Sequence, residues 1–345
     1  MRLGASLYLG LEKYTIGDNL AFLKLCQEEG IEYIFTSMHM PEANESLVSD
    51  FEAIKKFAKE LDIKLIVDIS QPTKLNLAFL NDIYAVRLDY GFTDQDIIEI
   101  AKNYSCKIEL NASTLTEEKL ENLLFLGLDL NRIRASHNFY PKNYTGLNYE
   151  QVKNINRHLN KMKISVMAYI PCASKRPPIF EGLPTIEAHR RLSIGQAISE
   201  LKFLGCDEVF FGDALATKEE IRLAKSFCGD KILIPITIKK DICAKTRKIL
   251  KGEHRFRFDE SDYLRRSLVF KGSDIKPFNT IERKPGAIVI DNNLYERYRG
   301  EVSIIKQKLP QDKKVNVIGF IDSEFLWRNI ESETTFNFLI IGEEE

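Results

Sequence analysis

Carboxylates and carboxamides stand at the ends of successive strand-like segments. LIVDIS carries Asp68, AVRLDYG carries Asp89, KIELNAS carries Asn111, RIRASHNFYP carries Asn138 and EVFFGDA carries Asp213. Two carboxylates facing one another suit cleavage of a glycosidic bond. One protonates the leaving oxygen, and the other activates water or attacks the sugar. Helical patterns lie between most of these segments. That layout predicts an α/β fold, a (β/α)8 TIM barrel, whose chemistry sits at the C-terminal ends of its strands. Strands four and eight of such a barrel lie opposite each other, so Asp89 and Asp213 are the expected catalytic pair. Asp68 and Glu181 stand in reserve. Asp68 and Asp213 have a plainer alternative, as caps for the following loop or helix.

Alternation along a strand puts residues two apart on one face. Arg87 then shares a face with Asp89, Glu109 with Asn111, and Arg134 with Ser136 and Asn138. Turned inward, Arg87, Glu109 and Arg134 form a charged belt across three neighbouring strands. Buried charges of this kind persist when paired, which suits a scaffold; the alternative role for the same belt is to hold Asp89 in position and tune its pKa.

The loop PCASKRPPIFEGLP is rich in groups that suit a ligand. Lys175 and Arg176 are placed to meet an anion, because guanidinium forms two-pronged bonds to phosphate. Glu187, His189 and Arg190 follow on the next helix and are expected to pack or cap. The five histidines show no HExxH or comparable ligand spacing, so no metal site is expected. Neither GxSxG nor a Walker A loop occurs. The six cysteines form no CxxC pair and read as reduced, mostly buried thiols.

The elements that must position these groups follow from periodicity. Strands are expected at 3–9, 33–37, 64–69, 85–89, 107–111, 132–137, 164–170 and 208–212. Helices are expected at 18–29, 47–61, 74–80, 149–162, 185–204 and 217–227, with two more opened by Thr93 and Thr116. The clearest is the second, where Leu47, Phe51, Ile54, Phe57 and Leu61 make one apolar face. The barrel thus fills residues 1–230. From 231 to 345 short β-rich runs are separated by PG, NN, RG and PQD turns, which suggests a small β-barrel or β-sandwich domain. There Arg255 and Arg257 share a strand face and Arg265 and Arg266 follow in a helix or turn. The terminal GEEE reads as a solvated tail.

A formal net charge of −1 gives no reason to expect nucleic acid or an acidic membrane as partner. No run approaches the roughly 18 apolar residues of a membrane-spanning helix, and MRLGASLYLG is too quickly polar for a signal peptide. The expected compartment is the cytoplasm. Oligomeric state is not encoded in any visible pattern.

Several strings together resemble the 6-phospho-N-acetylmuramidase (MupG) family: YIFTSMHMPE, RLDYG, ELNAST, SHNFYPKNYTGL, EGLPTIEAHR, IVIDNNLYERYRGEVSI and KVNVIGFI. They run in order over nearly the whole chain. The resemblance implies a TIM barrel followed by a cyclophilin-like β domain. It implies a cytoplasmic glycosidase of cell-wall recycling that needs no cofactor. Such enzymes split N-acetylmuramic acid 6-phosphate from N-acetylglucosamine in a phosphorylated disaccharide. On this reading Asn111, Asn138 and Tyr140 orient the sugar, and Arg176, Arg257 and Arg266 face the phosphate or the lactyl carboxylate. The chain departs from the family where Leu9 and Gly10 replace a Pro-Glu pair, at Arg176-Pro177-Pro178 in place of Arg-Gly-Pro, and near Phe270-Lys271. Two other classes remain as alternatives. A sugar-phosphate aldolase or epimerase would want a Schiff-base lysine or a metal, and no inward lysine ends a late strand. A non-catalytic sugar-phosphate binding protein would bind without turnover.

Overall fold

A computed structural model describes residues 1–70, 77–259, 261–268, 272–332 and 334–344. The chain divides into two compact units, Met1–Cys228 and Gly229–Glu345.

The first unit is a closed barrel of eight parallel strands in sequence order. They are β1 (Arg2–Ser6), β2 (Tyr33–Ser37), β3 (Lys64–Ile69), β4 (Ala85–Leu88), β5 (Lys107–Asn111), β6 (Ile133–Ser136), β7 (Val166–Ile170) and β8 (Glu208–Ala214). Both faces of each strand are covered, so the strands are apolar throughout, with polar groups confined to the barrel interior and rims. Between them run α1 (Ile16–Glu28), α2 (Leu47–Glu60), α3 (Asp94–Asn103), α4 (Glu117–Phe125), α5 (Tyr149–Lys161), α6 (Ile194–Phe203) and α7 (Lys218–Cys228). Four of these start in reciprocal capping boxes, led by Thr15, Thr93, Asn148 and Ser193, and Thr116 caps α4. Each box stops the helix from fraying into the loop that carries the polar strand end.

Two expected helices differ. The segment 185–204 breaks into a 3-10 turn, Glu187–Arg191, and then α6. Thr185 cannot join a helix because its hydroxyl accepts the Tyr169 amide and donates to the Asn138 carbonyl, tying two loops together. Of the helix expected at 74–80, residues 74–76 lie outside the described residues, and Leu77–Asp82 is a 3-10 turn. Phe270 and Lys271 also lie outside them.

Among the described residues the strands of the second unit form one seven-stranded mixed sheet. Its strands are β9 (Ile232–Lys239), β10 (Glu253–His254), β11 (Leu264–Arg266), β12 (Ala287–Asp291), β13 (Val302–Ile305), β14 (Val315–Phe320) and β15 (Phe336–Glu344), with helices α8 (Ala244–Leu250) and α9 (Glu324–Asn329). Their order is β10-β15-β9-β14-β12-β13-β11. Arg265 and Arg266 lie on β11, paired antiparallel with β13, not in a helix or turn. The acidic terminus is no loose tail. Glu343 and Glu344 continue β15 alongside β9, and their carboxylates meet Arg247 at 2.7 Å and Lys239 at 3.1 Å.

Candidate active site

Strand register sets the site. Asp68 on β3 is level with Arg87 on β4, Arg87 with Glu109 on β5, and Glu109 with Arg134 on β6. All four side chains are buried in the barrel. The expected belt therefore forms, but it divides, with Arg87 turning to the C-terminal end and Arg134 to the N-terminal end.

Arg87 is saturated. One terminal nitrogen donates to Asp68 Oδ1 at 2.6 Å and lies 2.9 Å from Asp89 Oδ1. The other donates to Asn138 Oδ1, and Nε donates to Ser136 Oγ at 2.9 Å. Burial works against the charge on Arg87, but the carboxylates around it more than offset that and raise its pKa well above the usual value. Asp68 Oδ2 accepts from Ser37 Oγ at 2.9 Å. Burial pushes the Asp68 carboxyl up, Arg87 pulls it down, and Asp89 pushes it up again, for a net rise. Asp89 lies just past β4 with a third of its side chain exposed.

Above Arg87 opens a cavity of about 220 Å³. Its charged lining is Asp68, Asp89 and Glu42 against Arg87 and Arg176. Ser37, His39 and Asn138 add polar atoms, and Met40, Pro41, Phe139 and Tyr169 add apolar walls. Phe139 and Tyr169 meet edge to face at 5.1 Å. Arg176 reaches in from the loop after β7. Its guanidinium lies 4.5 Å from the Tyr8 ring centre, and one nitrogen sits 3.2 Å from Glu42 Oε1. Among the described residues no lysine lines this cavity.

The other end of the barrel is sealed. Arg134 forms ion pairs with Glu109 at 2.7 Å and Glu208 at 2.6 Å, and Glu208 in turn meets Arg2 at 2.6 Å. Glu109 and Glu208 are almost wholly buried.

Of the residues singled out from sequence, Asp68, Asp89, Asn138 and Arg176 line the cavity. Asn111 is one bond away, donating to Asn138 Oδ1 at 3.2 Å. Tyr140 is half-buried, with a hydroxyl whose pKa burial raises and nearby Arg87 pulls back. Asp213 is not brought together with Asp89. It is fully buried, is absent from the cavity lining, and accepts three backbone amides, from Cys172, Arg176 and Leu183. Burial raises its pKa while those amides pull it down. The carboxylate expected to face Asp89 is a loop clasp, because the chain after β7 folds back over the end of β8. Glu181 is partly exposed and also outside the lining; its carbonyl takes a bond from Arg190. Arg190 also binds the Gly182, Tyr140 and Lys142 carbonyls and both Glu187 oxygens, so it clamps two loops. Arg257 and Arg266 belong to the second unit, where both pair with Asp259.

Sequence reasoning passed over Glu42 and the place of His39 in the cavity lining. Glu42 and His39 stand in the MHMPE string after β2, whose only signal was the family resemblance. Among the described residues no group of three or more His, Cys, Asp or Glu is placed to hold a metal ion, and no helix is long and apolar enough to cross a membrane.

Two family models match the chain in order. The N-terminal part of 6-phospho-N-acetylmuramidase covers residues 3–226 and the C-terminal part covers 232–339. An uncharacterized B. cereus protein of known crystal structure is similar along its length, with TM-score 0.87, 28% identity, and coverage of 98% of this chain and 99% of that one. A conserved Enterococcus faecalis protein, solved with unknown function, gives TM-score 0.72 and 28% identity over 99% of this chain and 97% of that one. No curated protein matches the chain. Barrel, second sheet domain and both family matches agree with the motifs read from sequence, and the chain belongs to the 6-phospho-N-acetylmuramidase family of glycoside hydrolases.

Proposed function

We propose that this enzyme binds its phosphorylated sugar in the cavity above Arg87. There it cleaves N-acetylmuramic acid 6-phosphate from N-acetylglucosamine. The observation that carries this reading is one cavity holding two accessible carboxylates, Asp89 and Glu42, beside two arginines. A glycosidase needs two carboxyl groups flanking the bond, one to protonate the leaving oxygen and one to attack or to activate water. Asp89 and Glu42 divide those duties, with Glu42 taking the place first given to Asp213. Asp68 is held on both oxygens, so it orients Arg87 rather than reacting. Arg87 in turn orients Asp89. Asn111, Asn138 and Tyr140 position hydroxyls and the N-acetyl group, while Phe139 and Tyr169 offer an apolar wall to a sugar face. Arg176 takes an anionic group, the 6-phosphate or the lactyl carboxylate. The reaction is a cytoplasmic step of cell-wall recycling, and the second unit is a cyclophilin-like domain. Asp89→Asn and Glu42→Gln are each expected to lower kcat by about 10²–10⁴-fold on the phosphodisaccharide, with folding intact. A near-wild-type rate in either variant removes that residue from the chemistry.

A further inference from the structure

Asp213, at the end of β8, has no water-facing atoms and no place in the cavity lining. Its work is visible in its partners. Oδ1 accepts the Arg176 amide at 2.9 Å, and Oδ2 accepts the amides of Cys172 and Leu183, both at 3.2 Å. These three amides come from both arms of the loop after β7, so a single carboxylate ties its outgoing and returning strands of chain. Gly182, with φ +83, lets the returning arm turn beside it; a Cβ there would come 3.0 Å from Pro171 Cβ and 3.6 Å from Asp213 Oδ2. Of the three tied residues, only Arg176 reaches the cavity with its side chain. Its guanidinium is fixed over Tyr8 and lies 5.7 Å from the Phe139 ring centre, with Glu42 as its exposed-side partner.

We propose that Asp213 is a positioning residue for anion recognition: it fixes the Arg176 backbone so that the guanidinium meets an anionic group of the substrate at the cavity. The inference rests on the reading that Arg176 binds that anion. It gives Asp213 no proton to transfer, since three amides occupy its oxygens and no part of it reaches the cavity or water. An arginine held at its own backbone and stacked on an aromatic ring loses little freedom when it binds, which is where its affinity arises. An asparagine in place of Asp213 offers one accepting oxygen rather than two and turns an NH2 against a backbone N–H. The loop end bearing Arg176, or the end bearing Leu183, is then released.

The test is a double-substitution cycle of Asp213→Asn and Arg176→Gln, alone and combined. It uses the full chain, the phosphodisaccharide and the same disaccharide without phosphate. Asp213→Asn is expected to raise KM for the phosphodisaccharide about 10-fold while kcat changes less than about threefold. Added to Arg176→Gln, it should change KM by less than about twofold, because both act through one guanidinium. Loss of the KM effect on the unphosphorylated disaccharide assigns the 6-phosphate as the anion; persistence assigns the lactyl carboxylate; either supports the positioning role. A kcat loss of about 100-fold or more at unchanged KM would make Asp213 catalytic and overturn the proposal. Independent, multiplying effects of the two substitutions overturn it as well. If Arg176→Gln alone leaves KM unchanged, it is the anion-binding reading that has failed. Should Asp213→Asn not melt cooperatively, Asp213→Ser, which keeps one acceptor in less volume, enters the same cycle with the same outcomes.

Discussion

Arg87 and Arg134 stand two strands apart on either side of Glu109, and both are buried in the same barrel. Their surroundings differ at one point. Every carboxylate on Arg134 is sealed, with Glu109 at 0% and Glu208 at 1% side-chain exposure. Arg87 also holds a largely buried carboxylate, Asp68, but its second, Asp89, is a third exposed and open to the cavity. Burying charge is expensive unless it is paired. A network whose carboxylates are all buried can only brace the strands. One left open at the end where the loops meet presents a charge that a ligand can use. The same residue types thus build a scaffold at one end of the barrel and a site at the other, and solvent access separates the two.

Substitutions at the two arginines test that separation. Arg134→Met leaves Glu109 and Glu208 without their central cation and should cost about 3–5 kcal/mol of stability. Denaturant unfolding reads it, and kcat/KM per folded molecule should hold. Combining Arg134→Met with Glu109→Leu and Glu208→Leu should restore most of the loss, since a well-filled apolar layer replaces an ion network at little or no cost. The remaining Arg2 is half exposed and can turn to water. Arg87→Met should show the opposite balance. Asp89 can turn to solvent, and Asp68, already pushed up by burial, can take a proton, so stability should fall less than for Arg134→Met. Activity should drop about 100-fold, because a carboxylate displaced by about 1 Å loses that much. An Arg134→Met enzyme that is folded yet equally inactive would break the division between the two ends.

The barrel and much of its mouth were legible in sequence because both follow from local rules. Alternation along β4, β5 and β6 put Arg87, Glu109 and Arg134 on the inner face. The polar stop after each strand put Asp68, Asp89 and Asn138 at the rim. Alternation does not say which way along the barrel axis a long side chain leans, so the split between Arg87 and Arg134 stayed hidden. Glu42 was hidden for a different reason. It lies on a loop without periodicity, and loop geometry decides what it faces. Asp213 shows the limit of the strand-end rule. It was expected just past a strand ending at 212 and lies within the last residues of β8, and its partners are amides some 30 to 40 residues earlier in the chain. Backbone amides leave no trace in side-chain patterns. The second unit's strand order, with β15 between β10 and β9, is likewise non-local. Its end, GEEE, looks solvated by composition alone, and only the parallel pairing with β9 recruits Gly342, Glu343 and Glu344 into the sheet.

A third partly buried carboxyl sharpens the comparison by having the wrong neighbours. Asp291 ends β12 in the second unit. Burial first, then the nearby carboxylates Glu301 and Asp312, raise its pKa to about 7 against the opposing pull of Arg283 and Arg266. Its ordinary value is 3.8. Between those two values the folded protein holds a proton that the unfolded chain has released. Stability should therefore be highest below the lower value and fall as pH rises through the window, by up to about 1.4 kcal/mol per pH unit for this one group. Above the upper value the loss is complete and the slope ends. Asp291→Asn keeps the shape and removes the charge, so its melting transition should be flatter between pH 4 and 7 and higher than wild type at pH 8. Calorimetry of the full chain across that range measures it. If wild type and variant melt in parallel at every pH, burial and its acidic neighbours do not raise Asp291. The contrast between a carboxyl raised by burial among other carboxylates and one held by an arginine would then not extend beyond the barrel.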